Sequence, residues 1–255
     1  MQQLTIVKAG GKIVENDSSL KTFLKDFSSI AGHKILIHGG GNAATQLADQ
    51  LGIQSKMIDG RRITDEETLK VVTMVYAGLI NKNIVAHLQA LHLDAVGLTG
   101  ADMNLILAVK RPVKDIDYGY AGDIREVNAP ALKDLLTQNY VPVLAPLTHN
   151  GAGLLLNTNA DTIAGAVARA LAYDFNVRLI YCSDKKGVLL DENDENSTIF
   201  SLTKEDFLRY KEEGVIRGGM IPKLENAFNA IASGVKEIIL TCASNIHTGG
   251  GTFIS

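Results

Sequence analysis

The chain has 255 residues, 46% of them apolar, which is enough to bury the core of one large domain or of two modest ones. Its formal net charge of −3 excludes a strongly basic nucleic-acid-binding protein. No apolar run is long enough to span a membrane, and the N-terminal residues lack the features of a signal peptide, so we expect a cytoplasmic protein without a membrane partner.

Short β-rich segments alternate with helical segments along the chain. The predicted strands are 4–8, 34–38, 94–98, 105–109, 141–145, 177–182 and 237–241. Many of them are continuously apolar, which is typical of strands that are covered on both faces. Apolar residues at helical spacing, clearest from Leu224 to Val235, fill the intervals. This alternation predicts βαβ units and an α/β fold with a mostly parallel open sheet.

Residues 118–124, with the sequence YGYAGDI, interrupt the alternation, and we predict a hairpin or a flap there. A change of role is predicted near residue 173, after the helix 162–172. The cysteines, Cys182 and Cys242, and the six histidines show no metal-ligand spacing. We therefore predict no protein-bound metal site.

The first strand ends in a positive charge, Lys8, which is followed by Gly10 and Gly11. Ligands of open α/β sheets bind outside the carboxyl ends of the strands. A lysine at such an end either extends to solvent or faces a ligand, and these residues alone leave both interpretations open.

A second strand runs into His38, Gly39, Gly40 and Gly41 before a helix begins. Glycines let backbone N–H groups approach a ligand, and a helix N-terminus adds partial positive charge, which suits phosphate. The pattern Gly39-x-Gly41-x-x-Ala44 also matches a relaxed dinucleotide-binding motif, although another strand precedes this one. HGGG occurs in esterases too, but no G-x-S-x-G supplies a nucleophile. A plain structural turn is the remaining alternative.

Two further helix starts carry polar residues. Asn157, Asn159 and Asp161 open the predicted helix 162–172, where an aspartate is ordinarily a favourable cap. Pro222, three residues after Gly219, fits the first position of a helix. Lys223 then lies in the first turn, where the helix dipole disfavours a cation, so it is either a solvated lysine or a functional one. Taken together, the lysines and glycine turns predict an anionic, phosphate-bearing ligand.

The order and spacing of these segments resemble the amino-acid kinase family over nearly the whole chain. The resemblance rests on Lys8-x-Gly10-Gly11, His38-Gly39-Gly40-Gly41, Gly60-Arg61-Arg62-Ile63-Thr64, Asn157-x-Asn159-x-Asp161, Ser183-Asp184 with Gly187, and Gly219-Met220-x-x-Lys223. It implies a three-layer αβα sandwich. Residues 1–173 would bind an acylated amino acid and dimerise, and residues 174–255 would bind ATP.

The implied reaction is transfer of the ATP γ-phosphoryl group to the γ-carboxylate of an N-acyl-L-glutamate, with Mg²⁺ bridging the phosphates. Lys8 and Lys223 would contact the transferring group as catalytic residues, and Asp161 would hold both. The implied substrate-binding residues are Gly40, Gly41, Arg62, Asn157 and Asn159. The implied ATP-binding residues are Gly10, Gly11, Ser183, Asp184 and Gly187. Residues 118–124 would form the flap over the substrate.

Two departures from the family pattern shape further expectations. Only seven residues precede Lys8, whereas arginine-inhibited members carry an additional N-terminal helix, so we expect a homodimer without arginine feedback. The stretch from Gly100 to Asn104 is less glycine-rich than in common members, which leaves the acyl group open between acetyl and a larger one such as succinyl.

Three rival functions remain at the level of the sequence. The nearest is another kinase of the same fold, acting on aspartate, glutamate, carbamate or UMP. A nicotinamide-dependent dehydrogenase rests only on the pattern from Gly39 to Ala44. A non-catalytic nucleotide sensor is the third, and the presence of Lys8, Asp161 and Lys223 speaks against it.

Overall fold

The computed structural model describes residues 1–58, 60–191, 193–194, 196–246 and 249–255, and for Pro222 the backbone alone. The strands are β1 (Gln2–Ala9), β2 (His33–His38), β3 (Lys56–Ile58), β4 (Arg61–Ile63), β5 (Ala95–Leu98), β6 (Ile106–Lys110), β7 (Gly122–Val127), β8 (Val141–Leu144), β9 (Leu147–His149), β10 (Leu155–Asn157), β11 (Phe175–Ser183), β12 (Ser201–Leu202), β13 (Glu237–Cys242) and β14 (Thr252–Ile254). The strands predicted from the sequence are confirmed, with ends that differ by one or two residues.

The helices are α1 (Gly11–Val14), α2 (Asp17–Ser28), α3 (Gly41–Gln50), α4 (Glu66–Val72), α5 (Asn81–Ala90), α6 (Ala129–Thr137), α7 (Ala160–Leu171), α8 (Lys204–Glu212) and α9 (Met220–Ala232). A π-helical segment, Thr73–Ile80, joins α4 to α5. Short 3₁₀ turns lie at Asp102–Asn104 and Ala243–Asn245.

The central sheet has eight strands in the order β12-β14-β13-β11-β1-β2-β8-β5. Among the described pairings of this sheet, only β13 with β14 is antiparallel. In the middle of the sheet, Ala9 pairs with Cys182 of β11 on one side and with His38 of β2 on the other. The carboxyl ends of these three strands are therefore level, and the turns that follow them meet at one edge.

The core lies on both faces of this sheet. Leu4 and Ile6 of β1 belong to one apolar cluster, together with buried residues of α6, α7 and α9. Val7 and Ala9 belong to a second cluster, which includes buried residues of α2, α4 and α5. Successive side chains of a strand point to opposite faces, so an apolar strand requires helices on both sides. The three-layer α/β arrangement is confirmed.

The helical stretch Glu66–Ala90 is the one part of the described chain that is long and apolar enough to cross a membrane by length and composition alone. The sequence predicts no such segment, because no continuous apolar run is long enough. The stretch packs Val72, Tyr76, Ile84 and Leu88 into the second apolar cluster, as a helix of the protein core does.

The interruption at residues 118–124 spans the end of the loop and the start of the second strand of an antiparallel hairpin. β6 pairs with β7, and this pair belongs to a separate sheet of order β10-β9-β6-β7. Tyr120 N–H donates to the Thr64 carbonyl at 2.6 Å, and Thr64 N–H donates to the Tyr118 carbonyl at 3.1 Å. The predicted flap is therefore tied to the segment that follows β4.

Two predicted boundaries concern the start of α9 and a division of the chain near residue 173. Helix α9 begins at Met220, so Pro222 is its third residue and the prediction of the first position was wrong. The helix starts early because Gly219 already serves as its N-cap, and a proline is tolerated in a first turn whose N–H groups lack intrahelical acceptors. The predicted division near residue 173 falls between α7 and β11, and the separate roles of the two parts stay a prediction.

Candidate active site

Two glycine turns pack against each other at the edge where β1, β2 and β11 end. Gly39 N–H donates to the Ala9 carbonyl at 3.0 Å, and Gly10 N–H donates to the Cys182 carbonyl at 2.9 Å. A Cβ atom on Gly39 would lie 3.2 Å from the Gly11 nitrogen. Glycine is needed here because the two backbones approach too closely for side chains.

Gly40 has the most restrictive surroundings of the second turn. Its φ of +148° is a conformation that other residues rarely adopt, and a Cβ atom would lie 2.2 Å from Ile80 Cδ1. The turn therefore passes directly over the π-helical segment. Gly40 is the N-cap of α3, so this helix points its N-terminus at the edge of the sheet.

His38 anchors the second turn from below. Its side chain is completely buried, and burial lowers its pKa to about 4, so the imidazole is neutral. Nδ1 lies 2.8 Å from the Gly39 carbonyl, to which it donates, and Nε2 lies 3.2 Å from Asn81 Nδ2, from which it accepts. These contacts agree with a structural rather than a catalytic role for His38.

One carboxylate and two lysines meet beside the glycine turns. Lys8 Nζ lies 2.9 Å from Asp161 Oδ1, and Lys223 Nζ lies 3.9 Å from Asp161 Oδ2. The side chain of Lys8 is only 11% exposed, that of Lys223 15% and that of Asp161 18%. Lys8 comes from the end of β1, Asp161 from the first turn of α7 and Lys223 from the first turn of α9, so this cluster joins distant parts of the chain.

Asp161 is available to the lysines because Asn159 caps α7. Asn159 Oδ1 accepts hydrogen bonds from Asp161 N–H at 2.9 Å and from Thr162 N–H at 3.1 Å. The sequence leaves Asp161 open between a cap and a partner of the lysines, and in the structure the side chain of Asn159 caps the helix. The Asp161 carboxylate is thereby left to face the two ammonium groups.

The electrostatics of the cluster follow from burial and mutual attraction. Burial raises the pKa of Asp161, but the charges of Lys8 and Lys223 outweigh burial and hold that pKa below its usual value. Burial lowers the pKa of Lys223, and Asp161 opposes only part of this effect. The cluster carries a net positive charge when both lysines are protonated, which suits an anionic ligand.

A first cavity, which we call the substrate cavity after the ligand that the resemblance implies, has a volume of about 210 Å³ and opens above Lys8 and Asp161. Arg62 lines it and is held from behind. Its Nη1 donates to Ser55 Oγ at 2.7 Å, and its Nη2 donates to the Gly41 carbonyl and to Thr45 Oγ1, both at 2.8 Å. These contacts fix the guanidinium plane beside the second glycine turn.

A second cavity, which we call the nucleotide cavity after the ligand that the resemblance implies, has a volume of about 660 Å³. Ser183, Asp184, Gly219 and Lys223 line it. The two cavities share four residues: Gly60, Arg61, Asn159 and Asp161. The Lys8–Asp161–Lys223 cluster therefore lies where the cavities join, and a group held in one can meet a group held in the other.

Most of the predicted site residues come together around these cavities. The substrate cavity is lined by Lys8, Gly11, Gly40, Gly41, Arg62, Asn157, Asn159 and Asp161. Gly10 and Gly187 line neither cavity. A Cβ atom on Gly10 would lie 3.3 Å from the Cys182 carbonyl oxygen. A Cβ atom on Gly187 would lie 2.6 Å from Thr252 Oγ1. Both glycines therefore allow close packing of the surrounding chain.

Two arginines of the substrate cavity, Arg61 and Arg111, are not among the residues predicted from the sequence. Arg61 stands next to Arg62 in the quoted motif, which was a usable signal. Arg111 ends up near it only because the β6–β7 hairpin folds over the cavity, where its Nε lies 3.0 Å from Asp123 Oδ1. No local pattern could have indicated that meeting.

The donor set also fits the groups that the resemblance implies. Lysines and helix N-termini suit the phosphates of a nucleotide, and Lys185 and Arg217 add further cationic side chains to the nucleotide cavity. Within the described ranges, no group of three or more His, Cys, Asp or Glu side chains is arranged to hold a metal ion. Mg²⁺ commonly keeps several waters and uses substrate phosphates as ligands, so it does not require such a group.

Comparisons with known proteins agree over the whole length. The model of the amino acid kinase family matches residues 3–242. The acetylglutamate kinase of Phocaeicola vulgatus is 62% identical over 253 residues, covering 99% of this chain and 98% of that protein. The acetylglutamate kinase of Methanopyrus kandleri is 38% identical over 255 residues, covering 98% and 100%. A crystal structure from Streptococcus mutans has a TM-score of 0.82 at 27% identity, covering 99% of this chain and 98% of that one.

Proposed function

This chain belongs to the amino acid kinase family, and from that premise we propose that it transfers the γ-phosphoryl group of ATP to the γ-carboxylate of N-acetyl-L-glutamate. The reaction is a step towards arginine. The observation that carries the proposal is the Lys8–Asp161–Lys223 cluster at the junction of the two cavities. Full-length relatives that are acetylglutamate kinases support the choice of acceptor.

The chemistry needs positive charge rather than a general base. The γ-carboxylate of glutamate has a pKa of about 4.3, so it is already ionised at neutral pH. The difficulty is to bring this anion against a polyanionic nucleotide. Catalysis is therefore positioning and charge neutralisation, for which two buried ammonium groups are suited.

Each member of the cluster has a distinct role in this proposal. Lys8 and Lys223 contact the transferring phosphoryl group from two sides. Asp161 holds both ammonium groups in place. Gly11 and Gly41 offer backbone N–H groups to the phosphoryl oxygens.

The remaining site residues divide between the cavities. Arg62, with Asn157 and Asn159 beside it, binds the α-carboxylate in the substrate cavity, and Gly40 shapes the turn under it. Ser183 and Asp184 face the nucleotide, while Gly10 and Gly187 support the nucleotide side through backbone packing. Residues 1–173 thus supply the substrate cavity and residues 174–255 most of the nucleotide cavity. Mg²⁺, when bound, neutralises phosphate charge.

We infer that the protein is a homodimer that works in the cytoplasm, where ATP is available. Met74 is 52% exposed and Leu79 is 67% exposed on the π-helical segment, and β5 forms an open edge of the central sheet. Large exposed apolar side chains and an open sheet edge are both features that suit the interface of two identical subunits.

The first test is ADP release in the presence of ATP and Mg²⁺, with N-acetyl-L-glutamate, N-succinyl-L-glutamate, L-glutamate and L-aspartate as acceptors. Hydroxylamine would trap the acyl phosphate product. We expect turnover with an acylated glutamate and none with the free amino acids. Turnover with only a free amino acid would make the protein a sister kinase, and the absence of turnover with all four would refute the proposal.

A second candidate substrate is a glutamate whose acyl group ends in a carboxylate, such as succinyl. Arg61 favours it, since no side chain of the described residues forms an ion pair or hydrogen bond with this half-buried guanidinium. Burial and, to a smaller extent, the neighbouring charge of Arg111 lower the pKa of Arg61, and Asp123 opposes part of this effect. A carboxylate at the flap end of the cavity would neutralise this charge.

The two candidates are separated by kcat/KM for the acetyl and succinyl substrates. If the acyl carboxylate meets Arg61, Arg61→Met lowers kcat/KM for the succinyl substrate at least about tenfold, as for loss of a charge-assisted hydrogen bond, and changes the acetyl value much less. Arg125→Met, on the exposed side of β7, is the matched control. Equal losses for both substrates would exclude the succinyl candidate.

A further inference from the structure

Glu15 connects the two glycine turns. Its backbone N–H donates to the Gly11 carbonyl at 3.0 Å, so the residue closes the first turn. Its Oε1 accepts a hydrogen bond from the Ala43 backbone N–H at 3.0 Å, and its Oε2 accepts one from Asn42 Nδ2, also at 3.0 Å. Both partners lie in the first turn of α3. One half-buried carboxylate therefore links segments that are 28 residues apart.

Helix α3 depends on this link because it has no cap of its own. Its N-cap is Gly40, which has no side chain to offer. The first N–H groups of a helix have no intrahelical acceptor, and a carboxylate near them is favourable. Glu15 accepts the hydrogen bond of the Ala43 N–H. The Gly41 N–H has no acceptor among the described residues. Gly41 lines the substrate cavity.

The charge of Glu15 cannot itself favour the ligand. Its Oε1 would lie 3.3 Å from a Cβ atom on Gly11, so the carboxylate stands directly beside the first turn. A negative charge next to a phosphate site opposes anion binding. Any benefit to the reaction must therefore come from the geometry that Glu15 imposes.

We propose that Glu15 is a positioning residue that sets the separation of the two glycine turns. With Glu15 in place, the N–H groups of Gly11 and Gly41 converge on the transferring phosphoryl group. The inference rests on the proposed phosphotransfer. Misplacing a reacting group by about 1 Å can cost about 10²-fold in rate, so a small relaxation of the turns suffices.

The test compares Glu15→Ala with Glu15→Gln. In Glu15→Ala, kcat falls at least about tenfold, in line with the loss of a preorganised amide donor, while KM for the acylglutamate changes by less than about threefold. Glu15→Gln recovers most of kcat, because its Oε1 still accepts from Ala43 and the Asn42 carboxamide can turn to meet its Nε2. Nearly wild-type kcat in Glu15→Ala, or equal losses in both variants, would overturn the proposal.

Thr203→Ala is the matched control for lost stability. Thr203 caps α8, accepting from Asp206 N–H at 3.1 Å, and has no contact with either cavity. We expect both alanine variants to lower the melting temperature by a few degrees. Only Glu15→Ala should lower kcat. A kcat loss of the same size in Thr203→Ala would assign the effect to general destabilisation and overturn the proposal.

Nucleotide binding separates this inference from the proposed function. Affinities for ATP and ADP are measured by calorimetry without an acceptor. Glu15→Ala should weaken ATP several-fold more than ADP, since the glycine turns hold the group that ADP lacks, and Glu15→Gln should restore the difference. Equal weakening of both nucleotides would refute the role of Glu15 even if the wild-type chain phosphorylates none of the acylglutamates.

Discussion

Lys8 and Lys223 are two nearly buried ammonium groups that share the Asp161 carboxylate. A guanidinium is broader and planar, so arginine cannot occupy either position without moving Asp161 or the ligand. We predict that Lys8→Arg and Lys223→Arg each lower kcat on the order of 10²-fold, the loss expected for one transition-state donor. Steady-state kinetics would measure the loss.

Lys21→Arg is the matched control for these two variants. Lys21 makes an exposed ion pair with Asp17 on α2, away from both cavities. Its kcat should equal that of the wild type. Nearly normal kcat in both Lys8→Arg and Lys223→Arg would remove the lysines from the mechanism.

The lowered pKa of Lys223 predicts an alkaline limit to activity. Burial stabilises the neutral amine, so Lys223 loses its proton at a pH below the ordinary lysine value of 10.5. We expect kcat to fall as pH rises through the pKa of Lys223. In Lys223→Arg, the residual activity should lack this fall, because a guanidinium keeps its charge. The same alkaline fall in both proteins would assign it to another group.

Asp161 makes the stability of the fold depend on pH in the opposite direction. Its folded-state pKa lies below its unfolded value, so the ionised carboxylate stabilises the fold above the unfolded pKa. This contribution is lost as pH falls through the folded-state pKa. Asp161→Asn should therefore be least stable relative to the wild type near neutral pH, and the difference should shrink in acid. Thermal unfolding across pH would measure it, and a difference independent of pH would contradict the assignment.

The second glycine turn, as an element, tolerates little change. Gly40→Ala would combine an unfavourable backbone conformation with a methyl group 2.2 Å from Ile80 Cδ1. We expect a loss of at least about 2 kcal/mol in the free energy of unfolding and a marked loss of kcat. Denaturant unfolding and turnover would be measured on the same sample.

Gly52→Ala is the control for this substitution. Gly52 has φ +75° with nothing within 4 Å of an added Cβ atom, so alanine there introduces conformational strain alone. It should cost about 1–2 kcal/mol and leave kcat unchanged. If Gly40→Ala behaved in the same way, the contact with Ile80 would have no importance for the site.

The sequence predicted the helices and strands better than the residues at which they begin and end. Strands such as β1 and β2 were found because continuous apolar runs need burial on both faces. The start of α9 was misplaced because Pro222 fits several positions of a first turn. From the sequence, Asp161 could cap α7 or hold the lysines, because the capping by Asn159 is seen only in the structure.

For the whole molecule, the prediction that can be tested most directly is the homodimer. Leu79→Lys places a charge on the exposed apolar surface of the π-helical segment, where a buried lysine would be unpaired. We expect the wild type to scatter light as a dimer and Leu79→Lys to shift towards the monomer. Leu208→Lys, at a 48% exposed position of α8, is the control. A wild-type monomer would refute the dimer.

The sequence by itself determined the α/β fold and indicated the glycine turns and most residues of the proposed site. These follow from local chemistry, because apolar runs make strands, adjacent glycines allow close approach, and lysines at strand and helix ends are exceptional enough to be noticed.

Only the tertiary structure decided which of these groups meet. The level ends of β1, β2 and β11 bring the turns together, Asn159 frees Asp161 for Lys8 and Lys223, and the folded hairpin carries Arg111 towards Arg61. These outcomes depend on strand register and on competition for hydrogen-bond partners between distant segments. No pattern along a single stretch of chain contains that information.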